Sequence, residues 1–384
     1  MPPLGAPGAP VSLEVAEGVA TVTLRSPPVN ALNPELFDAL FAALRKAQAN
    51  PDVKAIVLTG SDGKFCAGFD FTLFATPAMS SLLDRRQDTV AQVAALLENG
   101  SNPTVAAIEG VALGGGLELA MACNTRVAAA GAQLGLPEVR LGVLPGMGGT
   151  QRLPRLVGMR QVLNLMLSGQ PIPAEDGLAI GLVDEVAPAG QLLEAARRAA
   201  AALGAAVAAG KPGARRRTLQ LTQHVQASGE VFADAAAALQ EAQATVQRTL
   251  AGQEHYRLLL DACASGLMEG VPAGLQKEGE GFRACCNSRL HRMLLHMFKL
   301  HKSLCRSRGP AWALLQVQLF VGLAWIWFYV HLIYVWTSFM IGYRKARTGS
   351  KKKKEDESST AAGGSGSGKA AGGGGGSRGA KKAK

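Results

Sequence analysis

The chain has 384 residues, of which 48% are hydrophobic and 18% are charged, so it can bury the core of one large domain or of two ordinary ones. The net charge of +11 is uneven, because residues 1–260 hold 20 basic and 22 acidic residues whereas residues 261–384 hold 20 and 7. The basic excess therefore belongs to the C-terminal third, which gives no support for a nucleic-acid-binding face on the main domain.

The cysteine pattern and the N-terminus bear on the cellular compartment. The six cysteines include no Cys-x-x-Cys pair, which fits a reducing compartment and argues against a metal site. The N-terminal MPPLGAPGAP has neither the basic start nor the apolar core of a secretory signal peptide. We therefore expect a protein of a reducing compartment that has no secretory signal and no bound metal.

Residues 11–190 alternate between strand-like and helix-like patterns. VSLEV and ATVTL alternate apolar and polar residues around Gly18, which predicts a hairpin. Asn33-Pro34 marks the start of a predicted helix that continues through PELFDALFAALRKAQAN. The apolar runs KAIVLTG, VAAIEGVA and TRVAAA predict buried parallel strands. Strands that alternate with helices predict a layered α/β fold.

The C-terminal half of the main region is predicted to be helical. Residues 191–260 are rich in alanine, with a break at Gly210-Lys211-Pro212-Gly213, and residues 261–308 form a more basic helical stretch. In that stretch one apolar face is predicted to consist of Leu290, Met293, Leu294 and Met297. Such a basic amphipathic helix would either shield a site in the main domain or lie on a membrane surface.

Residues 311–342 contain no Asp, Glu, Lys or Arg and hold all four tryptophans of the chain. A bilayer core of about 30 Å needs roughly 20 apolar helical residues, and basic residues flank the segment on both sides. We therefore predict a transmembrane helix within residues 309–343, the alternative being a buried helix of a soluble protein. Residues 344–384 are rich in Lys, Gly and Ser and are predicted to be disordered.

Two glycine-rich turns are candidates for binding an oxygen that gains negative charge. Gly114–Gly116 lie between a predicted strand and a predicted helix, where glycine allows close approach to the backbone. The first N–H groups of a helix also lack intrahelical partners. A second turn of this kind lies in KFCAGFD, residues 64–70. Two N–H groups from separate loops that point at one oxygen form an oxyanion hole.

Two glutamates are the candidate acid–base residues. The first 223 residues contain no histidine, so a Ser-His-Asp or Cys-His arrangement is absent from the α/β region. Glu118 lies one helical turn beyond the three glycines, and Glu138 lies in the apolar stretch LGLPEVRLGVLPGMGG. Two partly buried glutamates beside an oxyanion hole could hold a water and move protons onto a carbon. Burial would raise the pKa of at least one of them towards neutrality.

Each candidate also has a purely structural interpretation. The three glycines could form only a tight turn, and Glu118 could pair with an arginine such as Arg126. Glu138 could cap a helix or pair with Arg140, and Asp70 is expected to cap the next helix.

The motifs FCAGFD, NPTVAAIEGVALGGGLELAMACNTRVA and LGLPEVRLGVLPGMGGTQRLPRLVG resemble the enoyl-CoA hydratase/isomerase, or crotonase, superfamily. The resemblance covers about residues 11–260 and is strongest to the N-terminal hydratase part of peroxisomal and bacterial multifunctional β-oxidation enzymes. It implies a crotonase-type β-β-α spiral in a domain of residues 1–260. Residues 261–308, with GLQKEGEGFRACCNSRLHRMLLHMFKLHK, resemble the linker helix that follows the hydratase domain in those enzymes.

The resemblance also implies roles for the candidate residues. The N–H groups of Phe69 and Gly115 would polarise a thioester carbonyl, Glu118 would activate water, and Glu138 would exchange a proton with the α-carbon. The product of adding water to a trans-2-enoyl-CoA would be a 3-hydroxyacyl-CoA, with CoA as part of the substrate and no metal or redox cofactor. The other expected substrate or CoA contacts are Ala67, Gly68, Asp70, Gly114 and Gly116.

Some features depart from the multifunctional enzymes. No Gly-x-Gly-x-x-Gly follows a strand, so dehydrogenase activity is expected to be absent. The chain ends in KKAK rather than in a peroxisomal tripeptide. The predicted transmembrane helix leads us to expect membrane association, and the resemblance makes the peroxisome the candidate organelle. The resemblance implies a homo-trimer or hexamer. The alternatives to hydration are a Δ3,Δ2-enoyl-CoA isomerase and a non-catalytic, membrane-anchored binding protein.

Overall fold

The computed structural model describes residues 8–70, 78–225 and 229–306. The fold below is that of the compact unit that ends at Lys302. The predicted transmembrane segment at 309–343 and the predicted tail at 344–384 lie outside the described residues. Within the described residues, no helix combines the length and the apolar character needed to cross a bilayer.

Nine strands in the described residues form two sheets. They are β1 (Val11–Ala16), β2 (Val19–Leu24), β3 (Ala55–Gly60), β4 (Thr104–Ile108), β5 (Val111–Leu113), β6 (Thr125–Ala129), β7 (Gln133–Gly135), β8 (Ile172–Pro173) and β9 (Glu185–Ala187). The larger sheet has the order β1-β2-β3-β4-β6-β9, and the smaller has the order β5-β7-β8. In the larger sheet only β1 and β2 pair antiparallel, and the other neighbours are parallel.

The helices surround these sheets. They are α1 (Pro34–Ala49), α2 (Ala78–Asn99), α3 (Gly115–Ala122), α4 (Gly149–Val157), α5 (Met159–Ser168), α6 (Ala174–Ala179), α7 (Leu192–Ala208), α8 (Glu230–Thr249), α9 (Glu254–Met268), α10 (Val271–Cys286) and α11 (Arg289–Arg306). Short 3-10 turns occur at Glu138–Leu141 and at Thr218–Gln220. The predicted boundary after residue 260 falls inside α9.

The N-terminal hairpin and the first helix follow the predicted local signals. The β1–β2 loop consists of Glu17 and Gly18, which both have positive φ, as a two-residue turn matched to strand twist requires. Helix α1 begins with Pro34 after Asn33, whose side chain accepts a hydrogen bond from the Leu36 N–H at 2.8 Å. Both predicted elements are therefore confirmed.

Burial on both faces explains the continuous apolar runs in the parallel strands. One face of the larger sheet presents Val57, Val105 and Val127 to the small alanine-rich face of α7. The opposite face presents Ile56 and Ile108 to the main core. Because neither face meets water, these strands do not show the alternation of a half-exposed strand.

The predicted apolar face of α11 is partly wrong. Met293 and Met297 are 54% and 47% exposed, whereas His291 and Leu295 are buried. Contacts with the main domain determine which side is buried. The helix packs against the left-handed turn at Gly142, and the ring Nδ1 of His291 lies 2.7 Å from the Leu141 carbonyl oxygen. Hydrophobic periodicity identified an amphipathic helix but not which side met the main domain.

Candidate active site

Two glycine loops are connected by backbone hydrogen bonds beside the sheets. The Cys66 N–H donates to the Val111 carbonyl at 3.0 Å, and the Leu113 N–H donates to the Cys66 carbonyl at 3.0 Å. A Cβ atom at Gly116 would overlap this Cys66 carbonyl oxygen. Glycine is therefore required at residue 116 because the start of α3 lies directly against the other loop.

The same loops place the amides of Phe69 and Gly115 in one small region. The Leu32 N–H donates to the Gly68 carbonyl at 2.8 Å, and the Asp70 N–H donates to the Leu32 carbonyl at 3.0 Å. Because successive N–H groups of an extended chain point in opposite directions, the Phe69 N–H points away from Leu32. Gly115 is the first residue of α3, so its N–H has no partner within the helix. A Cβ atom at Gly68 would lie 3.3 Å from the Gly115 nitrogen.

Glu118 is buried on α3 and is bound by a neighbouring turn. Its Oε1 accepts hydrogen bonds from the N–H groups of Met147 at 2.8 Å and Gly149 at 2.7 Å. Its Oε2 is buried and has no hydrogen-bond partner among the described residues. Burial raises the pKa of Glu118, although the two N–H groups and the charge of Arg152 oppose that rise.

The turn that binds Glu118 depends on its glycines. Gly148 has a φ of +90°, and a Cβ atom there would overlap the guanidinium of Arg152. A Cβ atom at Gly149 would lie 2.7 Å from Glu118 Oε1. Only glycines allow the backbone to approach the carboxylate this closely.

Glu138 opens the 3-10 turn after β7 and faces the same region. It is buried, its Oε2 has no hydrogen-bond partner among the described residues, and its Oε1 would lie 3.0 Å from a Cβ atom at Gly114. Burial raises the pKa of Glu138 well above its usual value, and the nearby charge of Glu118 raises it further. The two predicted acid–base residues therefore interact electrostatically across the first glycine turn.

The structural alternatives for the two glutamates are not observed in the described residues. Arg126 forms its ion pair with Asp184 at 2.9 Å rather than with Glu118. Glu138 lies in a short turn, and its carboxylate forms no ion pair with Arg140 in the part of the chain that the structure describes.

The other predicted contacts lie around the two amides. Ala67 is half-buried and its N–H donates to the Val29 carbonyl at 3.0 Å, while Gly68 is buried. The Gly114 N–H donates to the Gly135 carbonyl at 2.9 Å. The region in which Asp70 was expected to cap a helix, residues 71–77, lies outside the described residues.

Sequence reasoning missed another buried carboxylate at this turn, Glu278 on α10. It accepts hydrogen bonds from the turn that also binds Glu118. Helical spacing could have identified it, because it is the one acid on the buried face of Gly274, Gly281, Phe282 and Cys285. In residues 8–70, 78–225 and 229–306, no three His, Cys, Asp or Glu side chains are grouped so that they could hold a metal ion.

A family model described as enoyl-CoA hydratase/isomerase matches residues 14–255. The chain is 40% identical over 286 residues to the glyoxysomal fatty acid beta-oxidation multifunctional protein MFP-a of Brassica napus, covering 74% of this chain and 38% of that protein. It is 44% identical over 179 residues to the peroxisomal bifunctional enzyme of Homo sapiens, covering 47% of this chain and 24% of that enzyme. The chain thus spans about two-fifths of the length of the plant multifunctional proteins that it matches.

Solved structures support the fold. An enoyl-CoA hydratase from Bacillus halodurans aligns with a TM-score of 0.54 and 22% identity, covering 75% of this chain and 99% of that one. One from Mycobacterium avium subsp. paratuberculosis K-10 aligns with a TM-score of 0.53 and 22% identity, covering 77% and 97%. The family match over residues 14–255 and the shared fold confirm the predicted resemblance. The chain belongs to the enoyl-CoA hydratase/isomerase, or crotonase, family.

Proposed function

We propose that the chain is an enoyl-CoA hydratase that adds water to a trans-2-enoyl-CoA and forms a 3-hydroxyacyl-CoA in fatty-acid β-oxidation. The main support is that Glu118 and Glu138 each have a buried carboxylate oxygen without a partner in the described residues, beside two backbone amides from separate loops. Relatives named as fatty acid beta-oxidation multifunctional proteins agree with this substrate class.

The hydrogen bonds around the two glutamates suggest which is the base and which the acid. Glu118 accepts two N–H bonds and lies near Arg152, so its ionised form is favoured more than that of Glu138. For Glu138, burial and the charge of Glu118 disfavour ionisation more strongly than the one supporting hydrogen bond, from its own backbone N–H, favours it. Two carboxyl groups whose environments separate their pKa values suit one base and one acid.

In the proposed reaction, Glu118 takes a proton from water as the water oxygen bonds to C3 of the enoyl group. The electrons of the C2=C3 double bond move towards the thioester carbonyl, whose oxygen accepts hydrogen bonds from the amides of Phe69 and Gly115. Glu138 then donates its proton to C2, and the carbonyl re-forms. One water has been added, and proton exchange with solvent returns the two carboxyl groups to their starting states.

The test is to incubate the purified full chain with crotonyl-CoA and follow the loss of enoyl absorbance. We expect turnover by the wild-type chain and loss of about a hundredfold to ten-thousandfold in Glu138→Gln. Glu280→Gln is the matched control, because this exposed glutamate lies on α10 away from the two catalytic candidates. Normal turnover by Glu138→Gln would refute the assignment.

Isomerisation is the second candidate, and one feature of Glu138 favours it. A buried carboxyl with a raised pKa, one oxygen of which has no partner in the residues that the structure describes, could move a proton between C2 and C4 without an attacking water. With a 3-enoyl-CoA substrate, an isomerase would retain activity in Glu118→Gln, whereas the hydration reaction requires Glu118 and would be lost.

We also propose that residues 311–342, which lie outside the described residues, attach the chain to a membrane. Glyoxysomal and peroxisomal relatives make the peroxisome the proposed organelle. The full chain should pellet with peroxisomal membranes and resist carbonate extraction, whereas release into the supernatant would contradict attachment. A homo-trimer or hexamer is proposed from the family resemblance, and the mass of the purified full chain in detergent would test it.

A further inference from the structure

Helix α10 lies outside the family match, and it places a carboxylate against the turn that binds Glu118 in the proposed hydratase. The match ends at residue 255, and α10 covers Val271–Cys286. Glu278 is 2% exposed, although a buried carboxylate is costly unless it is well hydrogen-bonded. Its burial therefore requires specific partners.

Those partners are all donors. Glu278 Oε1 accepts from the Gly148 N–H at 2.5 Å, and Oε2 accepts from the Thr150 N–H at 2.9 Å. The Thr150 hydroxyl lies 2.6 Å from the same Oε2. Because that hydroxyl accepts a bond from the Gln151 side-chain amide, its own proton is available for Glu278. The Glu278 carboxyl is thus the acceptor in all three hydrogen bonds, which lowers the free-energy cost of burying it.

Successive amides of one turn therefore bind two carboxylates alternately. The N–H groups of Met147 and Gly149 donate to Glu118, and those of Gly148 and Thr150 donate to Glu278. A rotation of the turn that weakened the bonds to Glu278 would also move the two amides that fix Glu118 Oε1. Glu278 and Glu118 thus jointly set the orientation of Glu118 Oε2, which has no hydrogen-bond partner in the described part of the chain.

We propose that Glu278 is a positioning residue for the hydration reaction, which acts through the turn at residues 147–150 to hold Glu118 in its reactive orientation. This inference rests on the proposed function. A purely structural contact between α10 and the main domain would not need a buried carboxyl group, since Phe282 already packs there, 3.1 Å from where a Cβ atom at Gly146 would lie. Desolvation and the charge of Glu118 raise the pKa of Glu278 to about 8, although the three donors lower it.

The experiment compares the full-length wild-type chain with Glu278→Gln, Glu278→Asp and Glu280→Gln in crotonyl-CoA hydration and thermal unfolding. An amide nitrogen cannot accept the bonds that one carboxylate oxygen accepts, so the Gln variant releases one side of the turn. We expect kcat to fall about tenfold to a hundredfold with KM within about threefold, because misplacement of a catalytic group affects the chemical step. Glu278→Asp should recover part of kcat, and Glu280→Gln should match wild type.

The other outcomes separate the two proposals. If wild type hydrates crotonyl-CoA and Glu278→Gln keeps its kcat, the positioning role is overturned while the hydratase assignment stands. Equal losses in the Gln and Asp variants, with kcat, KM and melting temperature all affected, would likewise overturn it in favour of a structural role. If wild type shows no hydration, the proposed function and the role of Glu278 both fall.

A second variant covers the case in which Glu278→Gln does not fold. Thr150→Val removes the hydroxyl donor to Glu278 Oε2, together with the acceptor of one Gln151 side-chain hydrogen bond, and keeps the branched shape of the side chain. A fall in kcat of several-fold with unchanged KM would support the proposal, and a wild-type kcat would overturn it.

Discussion

Glu98 and Arg152 form a buried ion pair, with 2.9 Å between Oε2 of Glu98 and Nη2 of Arg152. Arg152 also donates from Nη1 to the Met147 carbonyl at 2.7 Å, and the N–H of Met147 donates to Glu118. The other oxygen of Glu98 accepts the Leu219 N–H at 2.6 Å. The ion pair therefore stabilises the turn that binds Glu118.

Glu98→Gln should destabilise the protein strongly, because it leaves the Arg152 charge buried without its counter-charge. We expect a loss of about 3 to 5 kcal/mol in the free energy of unfolding, measured by urea denaturation. Asp234→Asn, which removes a partner of the exposed Arg160, is the control and should cost less than about 1 kcal/mol. Equal effects of the two substitutions would contradict the structural importance of the buried pair.

The Glu138 carboxyl should make the folded protein less stable as the pH rises. The pKa of Glu138 is higher in the folded chain than in the unfolded chain, so its favourable contribution is present below the unfolded value and is lost as pH rises through the folded value. Each pKa unit corresponds to about 1.4 kcal/mol. The free energy of unfolding of Glu138→Gln, minus that of wild type, should therefore be larger at pH 8 than at pH 5, as measured by urea unfolding at both pH values. An unchanged difference would show that Glu138 titrates normally.

The pH dependence of turnover should reflect the same group. If Glu138 donates the proton, kcat/KM for crotonyl-CoA falls on the alkaline side as Glu138 ionises. Burial, the charge of Glu118 and then the charge of Glu278 all raise the pKa of Glu138. Glu278→Gln should therefore move the alkaline limb to lower pH, and a limb that stays in place or moves upward would contradict this coupling.

Gly116→Ala should abolish activity by separating the two loops. A Cβ atom there overlaps the Cys66 carbonyl, so α3 and the loop that carries Phe69 must move apart. Overpacking of this kind costs about 1 to 3 kcal/mol. Gly131→Ala is the comparison, because that site has open space and a φ of +76°, and it should cost about 1 to 2 kcal/mol without loss of crotonyl-CoA turnover. Full activity in Gly116→Ala would show that the close contact is unnecessary.

Local patterns predicted most elements and the two central glutamates. Glu118 and Glu138 were recognisable because each acid occurs in an apolar stretch next to glycines. Glu278 was missed because its partner Thr150 is 128 residues away, and only helical spacing distinguishes it from the exposed Glu280. The same limitation misplaced the buried face of α11, since the identity of the surface it meets is a tertiary property.

The alternation of amides between Glu118 and Glu278 also bears on how this fold can be recombined with other sequences. A crossover between genes at residue 255, where the family match ends, would supply one carboxylate from one parent and the second from another. In chimaeras joined there, the turn of one parent and the α10 carboxylate of the other would be compatible only by chance. Chimaeras joined after Cys286 would take the turn and both carboxylates from the same parent.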